Sequence, residues 1–208
     1  MFYYGFDIIR DSGVIPLTKG TLSQRTKSVI ITYFLIFFFL VAQLKIECTL
    51  TRTIRKDSKA LNLEGKSLLR IPGTVTELTE VEVLNLSHNK LTRLPTSTCK
   101  MANLTTLNLS HNKLTQFPEV VVTLINLTHL FLNDNQLSKL PANLKNLEKL
   151  EELELRNNNI ERLYEYIVDL SHLKKLTVKG NSLTFEEIGN VMMLMDLRPQ
   201  RMSVDIAG

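Results

Sequence analysis

The sequence predicts an α/β solenoid: a short parallel sheet on a concave face, an irregular or 3₁₀ convex side, and a capping helix at the C-terminal end. Three observations carry this prediction. Asparagines recur at a fixed step of 23 residues, at Asn89, Asn112, Asn135, Asn158 and Asn181, with Lys66 in the equivalent place one step earlier. Around them runs the spelling L-x-x-L-x-L-x-x-N-x-L, clearest from Leu104 to Leu114 and from Leu127 to Leu137. Proline then follows the apolar residue at position 14 in four copies, as Pro72, Pro95, Pro118 and Pro141. A period of this length marks one small unit repeated, too small to bury its apolar face without its neighbours.

The chain opens on residues 1–47, which share nothing with the repeats. Within them, residues 28–44 are 17 uncharged positions bracketed by Lys27 and Lys45. As a helix at about 1.5 Å per residue they reach roughly 26 Å. A hydrocarbon core is about 30 Å thick, and the two lysines can snorkel across the difference. The stretch therefore reads as a single transmembrane anchor. A signal peptide is a second reading, although its charged region would be 27 residues and no clean small-residue cleavage site follows. A variant N-terminus on a soluble repeat protein is a third. Lys45, Arg52, Arg55, Lys56 and Lys59 after the stretch outnumber Lys19, Arg25 and Lys27 before it, which places the C-terminal side in the cytoplasm. Residues 48–57 form a basic linker.

Six repeats and a cap fill 58–197, each repeat counted from Ser58, Val81, Leu104, Leu127, Leu150 and Leu173. Positions 4 and 6 alternate with polar neighbours, as in a half-buried strand: Leu84/Leu86, Leu107/Leu109, Leu130/Leu132 and their equivalents. Position 11 is apolar throughout, and positions 18 and 21 add pairs such as Val75/Leu78 and Val121/Leu124, with Thr98/Met101 in the second repeat. Asparagine at position 9 suits a turn, where it bonds freed backbone groups and tolerates unusual φ/ψ. Proline, lacking an N–H, fits an extended or 3₁₀ segment away from the strands. Thr184-Phe185-Glu186-Glu187 is a capping-box spelling. Phe185, Ile188, Val191, Met192 and Met195 follow at near-helical spacing, so roughly 185–197 should form an amphipathic helix that lids the last coil. Residues 198–208 read as a loose tail.

Blocks such as Leu84-Asn-Leu-Ser-His-Asn-Lys-Leu-Thr-Arg-Leu-Pro95 resemble leucine-rich repeats. The even length with Leu-Pro or Phe-Pro resembles the Ras-suppressor and Scribble type of intracellular leucine-rich repeat protein, and small proteins made almost only of such repeats. The resemblance covers about 58–197. It implies a parallel-sheet horseshoe that binds protein partners, often in signalling assemblies. Repeat one departs from the pattern at Ser58 and Lys66, as a degenerate cap would.

Charge narrows the partners. Residues 1–47 hold five Lys/Arg and three Asp/Glu and residues 48–57 three and one, which leaves 17 and 17 over 58–208. A neutral repeat domain has no basic field for a phosphate backbone, so nucleic acid is not expected. The two cysteines, Cys48 and Cys99, form no flanking cluster of the kind secreted relatives resemble one another in having, which favours a reducing compartment. Cys99 falls on the convex side and is expected to be buried or half-buried. Sequons at Asn85, Asn103, Asn108 and Asn126 each stand one residue before a repeat leucine, so the repeat spelling alone produces them.

No P-loop, dinucleotide fingerprint, nucleophile elbow or zinc-protease spelling is present, and no enzyme activity or cofactor is expected. Position 8 stacks His88, His111 and Asp134. Three such ligands would suit a transition metal. The outer two, however, stand roughly 9–10 Å apart on parallel strands, and Ser-His-Asn is ordinary repeat spelling, so no metal is expected. The exposed strand positions form the candidate partner-binding face: Asn85, His88, Asn108, His111, Phe131, Asp134, Glu152 and Glu154. Phe131 is the large aromatic on its midline and the natural anchor. Glu151 and Glu152 stand opposite Lys174 and Lys175, either as local charge compensation or as a charged end that orients a partner. The expected function is a monomeric, non-catalytic interaction module facing the cytoplasm, either membrane-anchored or soluble. A receptor-like protein with its repeats outside the cell, and a regulatory subunit docking on a phosphatase or small GTPase, are the alternatives.

Overall fold

The computed structural model describes residues 28–38, 40–41, 58–197 and 202–205. The chain divides into two compact units, Met1–Lys45 and Ile46–Gly208. In the first, the described residues are helical, and their apolar side chains from Val29 to Phe38 are exposed. Among the described residues no helix is long and apolar enough to cross a membrane. The transmembrane anchor expected over 28–44 is therefore not supported. Its bracketing lysines and the linker 48–57 lie outside the described residues.

The second unit carries a parallel sheet whose strands lie in chain order: β1 (Ala60–Asn62), β2 (Val83–Asn85), β3 (Thr106–Asn108), β4 (His129–Phe131), β5 (Glu152–Glu154), β6 (Lys175–Thr177) and β7 (Ser203–Asp205). The register keeps the repeat: Leu61, Leu84, Leu107, Leu130, Leu153 and Leu176 are partners in turn. Each of these leucines is buried, as are Leu63, Leu86, Leu109, Leu132 and Leu155 at position 6. Burying such a side chain is worth about 1.5–3 kcal/mol, and no coil completes that burial alone.

Opposite the sheet, 3₁₀ segments run over Thr96–Lys100, Glu119–Thr123 and Ala142–Asn146, with single helical turns at α1 (Gly73–Thr76) and α2 (Tyr164–Ile167). The prolines explain the starts. Pro72, Pro95, Pro118 and Pro141 are extended, and each carbonyl accepts the N–H three residues on, from Val75, Thr98, Val121 and Leu144. The missing proline N–H costs nothing there. Val75, Thr98, Val121, Leu144 and Ile167 point inward from this side and are buried. Cys99 is exposed and free, against the expectation of a buried thiol. The 3₁₀ turn buries Thr98 and Met101 on its inner side and leaves the intervening positions outside. Cys48 lies outside the described residues.

The cap α3 spans Phe185–Leu197, matching the expected bounds. Glu187 N donates to Thr184 Oγ1 at 3.2 Å, so the threonine caps the helix, while the Glu187 carboxylate accepts from Leu163 N in the preceding repeat at 3.0 Å. The buried face differs from the expected stripe. Val191 and Leu194 are buried, whereas Phe185, Met192 and Met193 are exposed. The tail expectation is also corrected over its described part. Residues 203–205 form β7, with Leu176 opposite Val204 and with Val178 N and Lys179 N donating to Asp205 O at 2.9 and 3.1 Å. Met202 and Val204 alternate with Ser203 and Asp205, and Met202 is buried, so the strand covers an edge of β6 that would otherwise carry open N–H and C=O groups.

Candidate functional site

The concave face rests on a buried ladder of carboxamides. Asn112 Nδ2 donates to Leu86 O, Leu109 O and Ser110 O at 3.0, 3.0 and 3.1 Å, and its Oδ1 accepts from Leu91 N at 2.9 Å. Asn89, Asn135 and Asn158 repeat the pattern one coil apart. Each asparagine thus ties its own turn to the coil before it. The unusual φ expected of these residues belongs instead to position 8. His88, His111, Asp134 and Asn157 have φ of 54°, 52°, 55° and 53°, and Gly65 and Gly180 hold the equivalent places at 65° and 74°. A left-handed backbone favours Asn, Asp, His and Gly, so the histidine column is first a backbone requirement.

The side chains in that column nevertheless interact. The His88 and His111 rings stack with centroids 4.1 Å apart and planes 13° from parallel. His111 Nε2 lies 3.3 Å from Asp134 Oδ2, and Asn133 and Asn157 each donate to the same carboxylate at 2.7 Å. Burial alone would push the Asp134 carboxyl up. The bonds from Asn157 and Asn133, with His111 and Arg156 nearby, outweigh it and hold the carboxyl below its ordinary value. Among the described residues no group of His, Cys, Asp and Glu is arranged to hold a metal ion.

Position 5 runs Asn62, Asn85, Asn108, Phe131, Glu154, Thr177 across neighbouring strands, as the register requires. The first three share a task. Their Oδ1 atoms accept the backbone N–H two residues on, from Glu64, Ser87 and Ser110, each at 3.0 Å. Phe131 has no oxygen to offer, so the pattern ends there and a half-buried ring takes its place. Thr177 is buried rather than presented.

The acids expected on the face are brought against cations. Glu152 pairs with Lys175 at 2.5 Å, Glu151 with Lys174 at 2.9 Å, and Glu154 with Arg156 at 3.6 Å. Lys174 in turn draws the Glu151 carboxyl down through their hydrogen bond. Local compensation therefore describes this end of the face. Arg156, absent from the expected face, also reaches Asp205 on β7 at 3.7 Å. Its signal was the acid two residues earlier on the same strand face. The eight expected residues thus fall into three groups: Asn85 and Asn108, whose Oδ1 atoms hold the turn two residues on, the linked His88, His111 and Asp134, and Phe131 beside the paired Glu152 and Glu154.

Comparisons with known proteins agree with this geometry. A family model for the leucine rich repeat matches residues 59–114, 79–137, 103–160 and 125–183. No curated protein sequence matches the chain. Among solved structures, an internalin from Listeria monocytogenes is similar at 26% identity and TM-score 0.60, over 73% of this chain and 46% of that one. A plant peptide hormone receptor solved in complex with RGF2 is similar at 28% identity and TM-score 0.55, over 74% and 25%. The ectodomain of the receptor kinase GASSHO1/SCHENGEN3 from Arabidopsis thaliana, in complex with Casparian strip integrity factor 2, is similar at 27% identity and TM-score 0.57, over 73% and 18%. The chain spans less than half the length of each of these structures.

Proposed function

This chain belongs to the leucine-rich repeat family, and we propose that it acts as a non-catalytic adaptor or scaffold, a monomer that captures a protein partner on its concave face in a signalling assembly. The observation that carries this reading is Phe131. It is a half-buried aromatic at the midline of a polar sheet face, where the three preceding strands place an asparagine with a local task. Aromatic anchors of this kind dominate interface energetics. The two plant receptor structures hold peptide or protein ligands, which supports a partner-binding role for such a surface. We further propose that the repeats face the cytoplasm. The free, exposed Cys99 and the absence of a flanking cysteine cluster in the sequence support that side.

The test is Phe131→Ala in the full chain, read by affinity capture from cells. Losing an anchor costs about 2 kcal/mol, or roughly 30-fold in affinity. The ring is only half-buried, so the thermal midpoint should stay within about 4 °C of the parent. Undiminished capture by the folded variant would remove the anchor role.

A further inference from the structure

The cap helix α3 is apolar on two opposite sides. At about 100° per residue, Glu187, Val191 and Leu194 fall on one side. Val191 and Leu194 are buried there, and Glu187 accepts from Leu163 N. Phe185, Gly189 and Met192 follow at i, i+4 and i+7, which aligns them on the other side. Phe185 is 95% exposed and Met192 53%, with Met193 exposed beside them. A helix at the surface ordinarily turns polar residues outward, and an apolar patch left in water marks an interaction site.

Gly189 adds a second, independent observation. Phe185 and Met192 stand two turns apart, about 10.5 Å along the axis, and Gly189 is exposed between them. A Cβ at Gly189 would meet nothing within 4 Å. Packing within the chain therefore does not require a glycine, which is a poor helix former in a helix interior. Its effect is a notch between the ring and the thioether, wide enough for a side chain from outside.

Charge selects the occupant. Glu186 and Asp196 are exposed near the two ends of this side, and no base stands within Phe185–Leu197. The neighbouring α2 and its flanks add exposed Glu161, Glu165 and Asp169, with Arg162 as the one cation among the described residues 161–169. Burial and the bonded Glu165 carboxylate push the Tyr166 hydroxyl up, and Glu187 adds to this while Arg162 opposes it. Carboxylates of both elements thus converge on one hydroxyl, and Arg162 sits among them. Arg198 and Arg201, beyond the helix, lie outside the described residues. A second copy presenting the same side would set acid against acid, and an anionic lipid surface would be repelled. A basic chain gains from both the apolar stripe and the acids at its ends.

We propose that the outward side of α3 docks a basic amphipathic helix of a partner protein, with an apolar side chain seated over Gly189 between Phe185 and Met192 and with Lys or Arg beside Glu186 and Asp196. This is a second surface, separate from the strand face that carries Phe131. A chain using both joins two partners, as a scaffold does.

Selection on the immobilised full chain tests this, from a display library of randomised helix-forming peptides of roughly 18 residues, or about five turns. Enriched peptides are expected to carry apolar residues at i, i+3 or i+4, and i+7, with Lys or Arg alongside. In fluorescence anisotropy, Phe185→Ala/Met192→Ala should weaken a selected peptide roughly tenfold or more. Glu186→Lys/Asp196→Lys should weaken it by about as much, and so should added salt for the unaltered protein. Gly189→Gln fills the notch with a better helix former, so it should weaken the peptide about fivefold while the thermal midpoint holds or rises. Enrichment of acidic or uncharged peptides, or no enrichment, overturns the proposal. So does binding that survives any of these three variants with the fold intact. Selected peptides that respond to Phe131→Ala and ignore α3 also overturn it, and they support the concave-face reading instead. Phe185-dependent self-association in sedimentation, or Phe185-dependent binding to phosphatidylserine vesicles, would name a different occupant and overturn it as well.

Discussion

Asn112 makes four hydrogen bonds with a carboxamide that is only 7% exposed. Truncating it leaves Leu91 N–H without its acceptor and removes a donor from Leu86 O and Leu109 O, in a place water does not reach. Each buried group so orphaned costs about 1–3 kcal/mol. Asn112→Ala should therefore lower the free energy of urea unfolding by about 3 kcal/mol or more, with little change in the denaturant slope. A loss under about 1 kcal/mol would mean the ladder contributes little to folding. The position of this ladder was legible, because a fixed step of asparagines has few other physical causes. The turn's strained residue was assigned one place late. Reading position 8 down the repeats as Gly, His, His, Asp, Asn, Gly would have found it, since those residue types share tolerance of positive φ and little else.

Among the elements, the strands and the helix bounds followed from periodicity, and the last strand did not. β7 lies outside the 23-residue step, and its three residues carry no repeat spelling. What forms it is tertiary: β6 presents an edge, and Met202 and Val204 supply two apolar side chains on one face. The same override acts on α3. Spacing alone assigned Phe185 and Met192 to the buried stripe, but the last coil covers only the strip through Val191 and Leu194. Two substitutions separate docked from undocked residues. Met202→Ala should cost about 2–3 kcal/mol, as expected for a methionine 3% exposed. Met193→Ala, at 63% exposure, should stay within about 0.5 kcal/mol. If the two variants unfold alike in urea, β7 does not seal the solenoid in solution.

For the whole molecule, the repeat both reveals the scaffold and obscures what is specific to this chain. The sequons illustrate this. Asn103 Nδ2 donates to Thr79 O and Asn126 Nδ2 to Ala102 O, each at 3.0 Å, so both carboxamides tie one coil to the one before. Asn85 and Asn108 lie on the strands of the face itself, where a glycan would cover the approach to Phe131. Structural use explains all four asparagines without a secretory route, and glycans at the latter two would oppose the proposed binding mode. The full chain expressed in mammalian cells should accordingly show no change in electrophoretic mobility on treatment with an N-glycosidase. A shift that disappears in Asn103→Gln/Asn126→Gln would place the repeats outside the cell and overturn the cytoplasmic side. It would leave the concave face usable, because those two asparagines lie off the midline. A shift that persists in that double variant would put glycans at Asn85 or Asn108, and would count against the concave face as the site of capture.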